Sequence, residues 1–277
     1  MNKETSKNKI KIYHRHSMIY YETTIKRHLL TILVVIAFFI VLVSIIFHFS
    51  NPQNSFDINQ ISTKEILIAT LNSFFRLLIA YIISMVISIP LALLIVSTPR
   101  VQRILLPIAD VLQSVPVLAF FPVVVTFFTA YGRFELAAIF ILTTIMVWNI
   151  VFPTVQGLKT IPNDIEDAAF VFNVKGFKKF WYITLPAIFP FIIIGSLEAW
   201  AQGWTTIIVA EVLHTYILHG TPSQDLLGLG SLLVDSNASG KNTLFLVTLI
   251  IMILLVTLIN LFVWQRLIRL SERFKFD

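Results

Sequence analysis

Six stretches of this chain run for about twenty residues with almost no charge, the length a helix needs to cross the hydrocarbon of a bilayer. Lipid offers no partner for a backbone amide or carbonyl, so runs of this kind close their hydrogen bonds within a helix. That requirement predicts an all-α, polytopic membrane protein. The runs are Leu29–Phe47, Ile66–Val96, Ile104–Thr129, Leu136–Val155, Ala187–Val212 and Leu244–Trp264. Pro90 interrupts the second, and Pro107, Pro116 and Pro122 break the third. Charged residues make up only 13% of the chain, against about 25% in a soluble domain. The first run is too long for a signal-peptide core, and no small-x-small cleavage site precedes the next loop.

Lysine and arginine positions set the orientation. With the N-terminus inside, Lys3, Lys7, Lys9, Lys11, Arg15, Lys26 and Arg27 are cytoplasmic, as are Arg100 and Arg103 in the second inner turn. Lys159, Lys175, Lys178 and Lys179 follow in the loop after the fourth span, and Arg266, Arg269, Arg273 and Lys275 in the tail. Only Lys64, Arg133 and Lys241 fall outside, and Arg76 falls within the second span, where it is expected to pair with an acid or reach outward. The chain then divides into a basic cytoplasmic N-terminal tail (1–28), a transmembrane domain (29–265) and a cytoplasmic C-terminal tail (266–277) of a multi-pass plasma (inner) membrane protein.

There is no cysteine, which excludes disulfides, thiolate metal sites and cysteine nucleophiles. The six histidines show no ligand spacing with acids, and no nucleophile–base set lies within a span. No catalytic residue, metal site or cofactor is expected on the chain, nor nucleic-acid binding. It also lacks a Gly-x-x-x-x-Gly-Lys-Ser/Thr phosphate loop. If its work needs ATP, another chain supplies it.

The inner loop 156–186 is the most informative connection. Pro162-Asn163-Asp164 reads as a helix start in which Asn163 caps free amides, with Asp164, Glu166 and Asp167 in the first turns, where the helix dipole favours negative charge. Ala168 and Ala169 favour helix. Asn173 tolerates the left-handed conformation that ends one. Lys175-Gly176-Phe177 begins a second short segment, which Leu185-Pro186 stops before the fifth span opens. The layout is a helix–turn–helix with an acidic, small-residue tip.

This stretch resembles the "EAA" loop of binding-protein-dependent ABC importer permeases: Glu-Ala-Ala, three residues, Gly, nine residues, Ile-x-Leu-Pro. The matching positions are Asp167-Ala168-Ala169, Asn173 and Ile183-Thr184-Leu185-Pro186, within a loop of 158–186. Asp replaces Glu with a shorter reach, and Asn replaces Gly while still able to take positive φ. Gln113-Ser114-Val115-Pro116 with Phe121-Pro122, and Gly203-Trp204-Thr205-Thr206 with Ala210-Glu211 and Gly228-Leu229-Gly230, are similar to patterns of the nitrate/sulfonate/taurine class of these permeases. The resemblance implies a type I importer permease with six transmembrane helices and a cytoplasmic coupling helix. It also implies ABC ATPase subunits carrying ATP-Mg, an extracytoplasmic solute-binding protein, and a second permease subunit, identical or different, in the lipid membrane. In that family Asp167, Ala168, Ala169 and Asn173 would transmit ATP-driven closure to the spans, and the solute would be a small anion or organic molecule such as nitrate, a sulfonate or taurine.

Polar residues at membrane depth usually face protein or water. Glu198, Gln202 and Thr205 share one face of the fifth span, beside a Gly195, Ala199, Gly203 stripe that lets another helix approach closely. Asp110, Gln113 and Ser114 share a face of the third span, Trp148 and Asn149 lie near the middle of the fourth, and Glu211 sits near the outer mouth. These groups either line a solute path or hydrogen-bond between helices, and the sequence leaves both open. A secondary, proton-coupled transporter with Glu198 as its proton site is the alternative. It would usually carry an inverted repeat, and none stands out.

Overall fold

The structure is a computed structural model, and it describes residues 62–217 and 220–274. The first apolar run and the N-terminal tail lie outside the described residues. Among the described residues, every regular element is helical. α1 (Thr63–Val96), α4 (Phe134–Lys159), α6 (Gly176–Glu211) and α8 (Asn242–Phe274) are each long and apolar enough to cross a membrane, and α2 (Pro99–Ser114) with α3 (Val117–Ala130) makes a fifth crossing if the bent pair is one span. α5 (Asn163–Val171) and α7 (Leu229–Ala238) are short. The expected second, fourth, fifth and sixth spans are therefore present as long helices, and the third as the bent pair.

Three expectations are corrected. The third span does break, α2 and α3 meeting at 80°, but only at Pro116; Pro107 and Pro122, and Pro90 in the second span, lie inside continuous helices. Val115 is extended (φ −71°, ψ 124°) because the following proline disfavours the α region, and Pro116 then starts α3. Leu185-Pro186 does not separate the second loop segment from the fifth span, since the helix runs on through a π turn at Phe180–Thr184. There the Leu185 amide bonds the Phe180 carbonyl, and the widened turn takes up the proline that would otherwise clash with the preceding turn. Asn163 does not cap α5. Pro162 occupies that position, so Asn163 has already entered the helix. Residues 266–274, in the expected C-terminal tail, continue α8 to Phe274, whose ring packs edge-on against Phe189 of α6 at 5.4 Å.

α4 is the central helix, with α6 on one side and α1 on the other. On α6, the predicted small-residue stripe is the contact surface. A Cβ at Gly195 would stand 2.6 Å from the Asn149 carbonyl oxygen, and one at Gly203 2.8 Å from Leu77 Cδ2. α1 presents its own row of small residues to α4. Ser84 and Ser88 donate to the Thr143 and Val147 carbonyls at 3.2 and 3.0 Å, interhelical hydrogen bonds of the kind that hold membrane bundles. Tyr81, Trp200 and Trp264 pack ring to ring at 5.6–6.2 Å and tie α1, α6 and α8 together. The two contacts of Tyr81 are edge-to-face, a geometry that adds to simple burial.

Candidate functional site

Two features stand apart from the packed core: a hairpin at one end of the bundle and a polar cavity beside it.

The hairpin is α5, a tight turn and the first turns of α6. Asn173 has φ 55°, as the sequence suggested. Its amide bonds the Phe170 carbonyl at 3.0 Å and the Val174 amide bonds the Ala169 carbonyl at 2.8 Å. This is the paired closure that seals a helix C-terminus around a left-handed residue. Gly176, at φ 58°, makes the second bend. Glu166 reaches Lys179 across the hairpin at 3.1 Å, and Lys175 stands 5.9 Å from the centre of the Phe170 ring. Asp164, Glu166, Asp167 and Ala168 are exposed, and Ala169 is buried. Leu185 and Pro186 are half-buried within the continuing α6. The tip is not acidic. Phe170, Val171, Phe172 and Phe177 stand out from it, each 76–79% accessible. Exposed apolar groups this dense mark a surface that meets another protein or a membrane. The acids sit in the first turns of α5, where the dipole favours them, and so lie behind the tip.

The cavity, about 930 Å³, opens between α2, α4 and α6. Gln113, Trp148, Asn149 and Glu198 line it, together with Asp110, Gln156 and Lys159. The structure thus brings four of the sequence-predicted pathway residues to one space. Gln202 and Thr205 are not in its wall. They continue the exposed face of α6 one and two turns beyond Glu198. Ser114 turns back to donate to the Asp110 carbonyl at 2.8 Å, and Pro116 makes the bend. Gln156 and Lys159 were missed. Both lie past the apolar run of α4, on its cavity face, and a helical wheel carried on from Asn149 would have found Gln156.

Glu211 lies elsewhere, with no accessible surface. Arg76 bonds it directly and bonds Glu135 through two nitrogens at 2.8 Å each. Ser73 donates to Glu211 Oε1 at 2.6 Å, the Gly230 amide donates to Oε2 at 2.7 Å, and the Leu229 amide donates to Ser73 at 2.8 Å. The carboxylate therefore sits on the N-terminus of α7, where free amides and the helix dipole receive an anion. A Cβ at Gly228 would stand 2.2 Å from the Glu211 carboxyl carbon, so the Gly-Leu-Gly pattern is the space this carboxylate needs. The acid expected to partner Arg76 is in fact two acids, and neither Ser73 nor Glu135 was foreseen.

Long apolar helices packed together, with a cleft lined in part by polar side chains, define a multi-pass helical membrane protein. The chain belongs to the family of binding-protein-dependent transport system inner membrane components, whose profile matches residues 84–268. Among curated relatives, it is 29% identical over 185 residues to the nitrate import permease protein NrtB of Leptolyngbya laminosa, covering 67% of this chain and 62% of that one. It is 30% identical over 149 residues to the bicarbonate transport system permease protein CmpB of Synechocystis, covering 54% and 52%. The matched region thus spans between half and two thirds of those relatives' length. Among solved structures, a chain of the inward-facing MetNI methionine ABC transporter shares the fold, with a TM-score of 0.58 at 17% identity, covering 76% of this chain and 97% of that one.

Proposed function

We propose that this chain is the membrane-spanning subunit of an ATP-driven importer, which forms the solute pathway while separate ABC ATPase subunits supply the energy. The observation that carries this reading is the hairpin: a short helix closed by a left-handed turn, with Phe170, Phe172 and Phe177 exposed at its tip and continuous with the cavity-lining helix α6. A push on such a tip is transmitted along the continuous α6, past Glu198 and the cavity wall. In this reading the hairpin end is cytoplasmic, as are both termini, and Asp167, Ala168, Ala169 and Asn173 form the coupling helix. ATP-Mg binds the partner ATPase, an extracytoplasmic binding protein delivers the solute, and a second permease subunit, identical or different, completes the pathway. The solute is a small polar molecule.

The test is co-purification of the neighbouring ATPase with the permease, together with ATP-dependent uptake in proteoliposomes. Phe170→Asp with Phe172→Asp should abolish both while the protein still inserts into the membrane. ATPase association and uptake at wild-type levels in that variant would refute the assignment.

A further inference from the structure

Three charged side chains line the cavity, and their signs do not suit a bare anion. Asp110 of α2 and Glu198 of α6 face it, against the single cation Lys159. Lys159 is the last residue of α4, ten positions beyond Asn149 and so roughly 15 Å further along the helix axis. Among the described residues, neither carboxylate has an ion-pair partner or accepts a side-chain hydrogen bond, so no described side chain neutralises them. The contrast with the other intramembrane acid is sharp, since Glu211 is neutralised by Arg76 and hydrogen-bonded on both oxygens. A low-dielectric wall focuses the field of such groups into the space between them. Trp148 adds an indole to the same lining, a side chain whose face attracts cations.

We propose that the solute passing this cavity carries a positively charged nitrogen, either as an organic cation or as the ammonium end of a zwitterion, and is not a simple inorganic anion. This rests on the importer reading above and narrows its solute. Nitrate or bicarbonate entering between Asp110 and Glu198 meets repulsion from both. A zwitterion of the taurine kind avoids this by presenting its ammonium to both carboxylates.

The chain has no cysteine, so a single Ile194→Cys variant gives one thiol in the cavity wall, one helical turn before Glu198. The probes are trimethylammonioethyl and sulfonatoethyl methanethiosulfonate, applied to the full-length permease in nanodiscs at low ionic strength. The cationic-to-anionic rate ratio should exceed that of 2-mercaptoethanol by about tenfold or more. It should fall back toward that reference when Asp110→Asn and Glu198→Gln are added, because the field that sorts the two reagents is gone. A ratio at or below the 2-mercaptoethanol value overturns the inference, as does a thiol that neither reagent reaches. In the assembled transporter, ATP-dependent nitrate uptake undiminished by the two carboxyl substitutions would also overturn it, while leaving the importer reading intact. Failure of the wild-type assembly to drive any uptake would sink that reading and leave the labelling ratio standing.

Discussion

Arg76 of α1 and Glu211 of α6 form an ion pair with both side chains almost wholly shielded, 3% and 0% accessible. The two partners are not equally supported. Arg76 keeps a second carboxylate, Glu135, if Glu211 is lost. Glu211 keeps only neutral donors, Ser73 and the Gly230 amide, if Arg76 is lost. Stranding one member of a buried pair costs about 3–5 kcal/mol, because an uncompensated charge remains.

The expected consequence is an asymmetry between two variants. Arg76→Leu should lower the unfolding temperature in lipid nanodiscs by far more than Glu211→Leu. Equal shifts, or the reverse order, would mean the pair is not what holds α7 to α1 and α6.

The small-residue stripe of α6 makes a second comparison. A methyl at Gly195 would lie 2.6 Å from the Asn149 carbonyl oxygen and 3.0 Å from Ile150 Cα, both backbone. At Gly203 it would meet Met146 Cε and Leu77 Cδ2, the ends of flexible side chains. Overpacking of this order costs about 1–3 kcal/mol, toward the upper end where nothing can move aside. Gly195→Ala should therefore be the more destabilising of the two in thermal unfolding, and Gly203→Ala should be tolerated through a rotamer change of Met146. If Gly203→Ala unfolds first, the α4–α6 spacing is set elsewhere.

Run length and spacing made the spans legible, and the Gly195, Ala199, Gly203 stripe announced a close helix contact. Asn173 could be read because few residues other than glycine accept positive φ. What stayed hidden depends on partners or on choices between equivalent signals. Pro107, Pro116 and Pro122 look alike in the sequence, yet only Pro116 marks the 80° break. Pro107 and Pro122 sit inside continuous helices. Pro186 reads as a stop unless a π turn absorbs it. The two acids on Arg76 lie 59 and 135 positions away, a pairing no local pattern contains. In the cavity, Glu198 and Asn149 were visible as polar groups in apolar runs, whereas Lys159 looked like a loop charge.

α7 carries a pH-sensitive group outside the spanning helices. Burial, and then the neighbouring Asp225, push the Asp235 carboxyl above its ordinary value of 3.8, with His214 and Lys241 pulling the other way. A carboxyl whose pKa rises on folding holds its proton more tightly in the native state. Its contribution is most favourable below 3.8 and is lost as the pH climbs through the raised value. Asp235→Asn should thus melt higher than wild type at pH 7, and the gap should close toward pH 4. A constant gap across that range would rule out the titration as its origin.

The hairpin turn offers the most direct test of the coupling geometry, because its conformation rests on one residue. Asn173 holds φ at 55°, which costs an ordinary L-residue about 1–2 kcal/mol. Asparagine tolerates that region better than most residues, and a β-branched side chain is an outlier there. Asn173→Val should open the turn and free the Val174 amide from the Ala169 carbonyl, a bond of 2.8 Å. At about 1.4 kcal/mol per factor of ten, hydrogen exchange at Val174 should speed up roughly tenfold or more. Asn173→Gly meets no such barrier and trades the backbone cost against the greater chain freedom of glycine when unfolded. Its exchange should stay near wild type, and so should ATPase association. If both substitutions accelerate exchange equally, the side chain of Asn173 is holding the turn through something other than its backbone conformation.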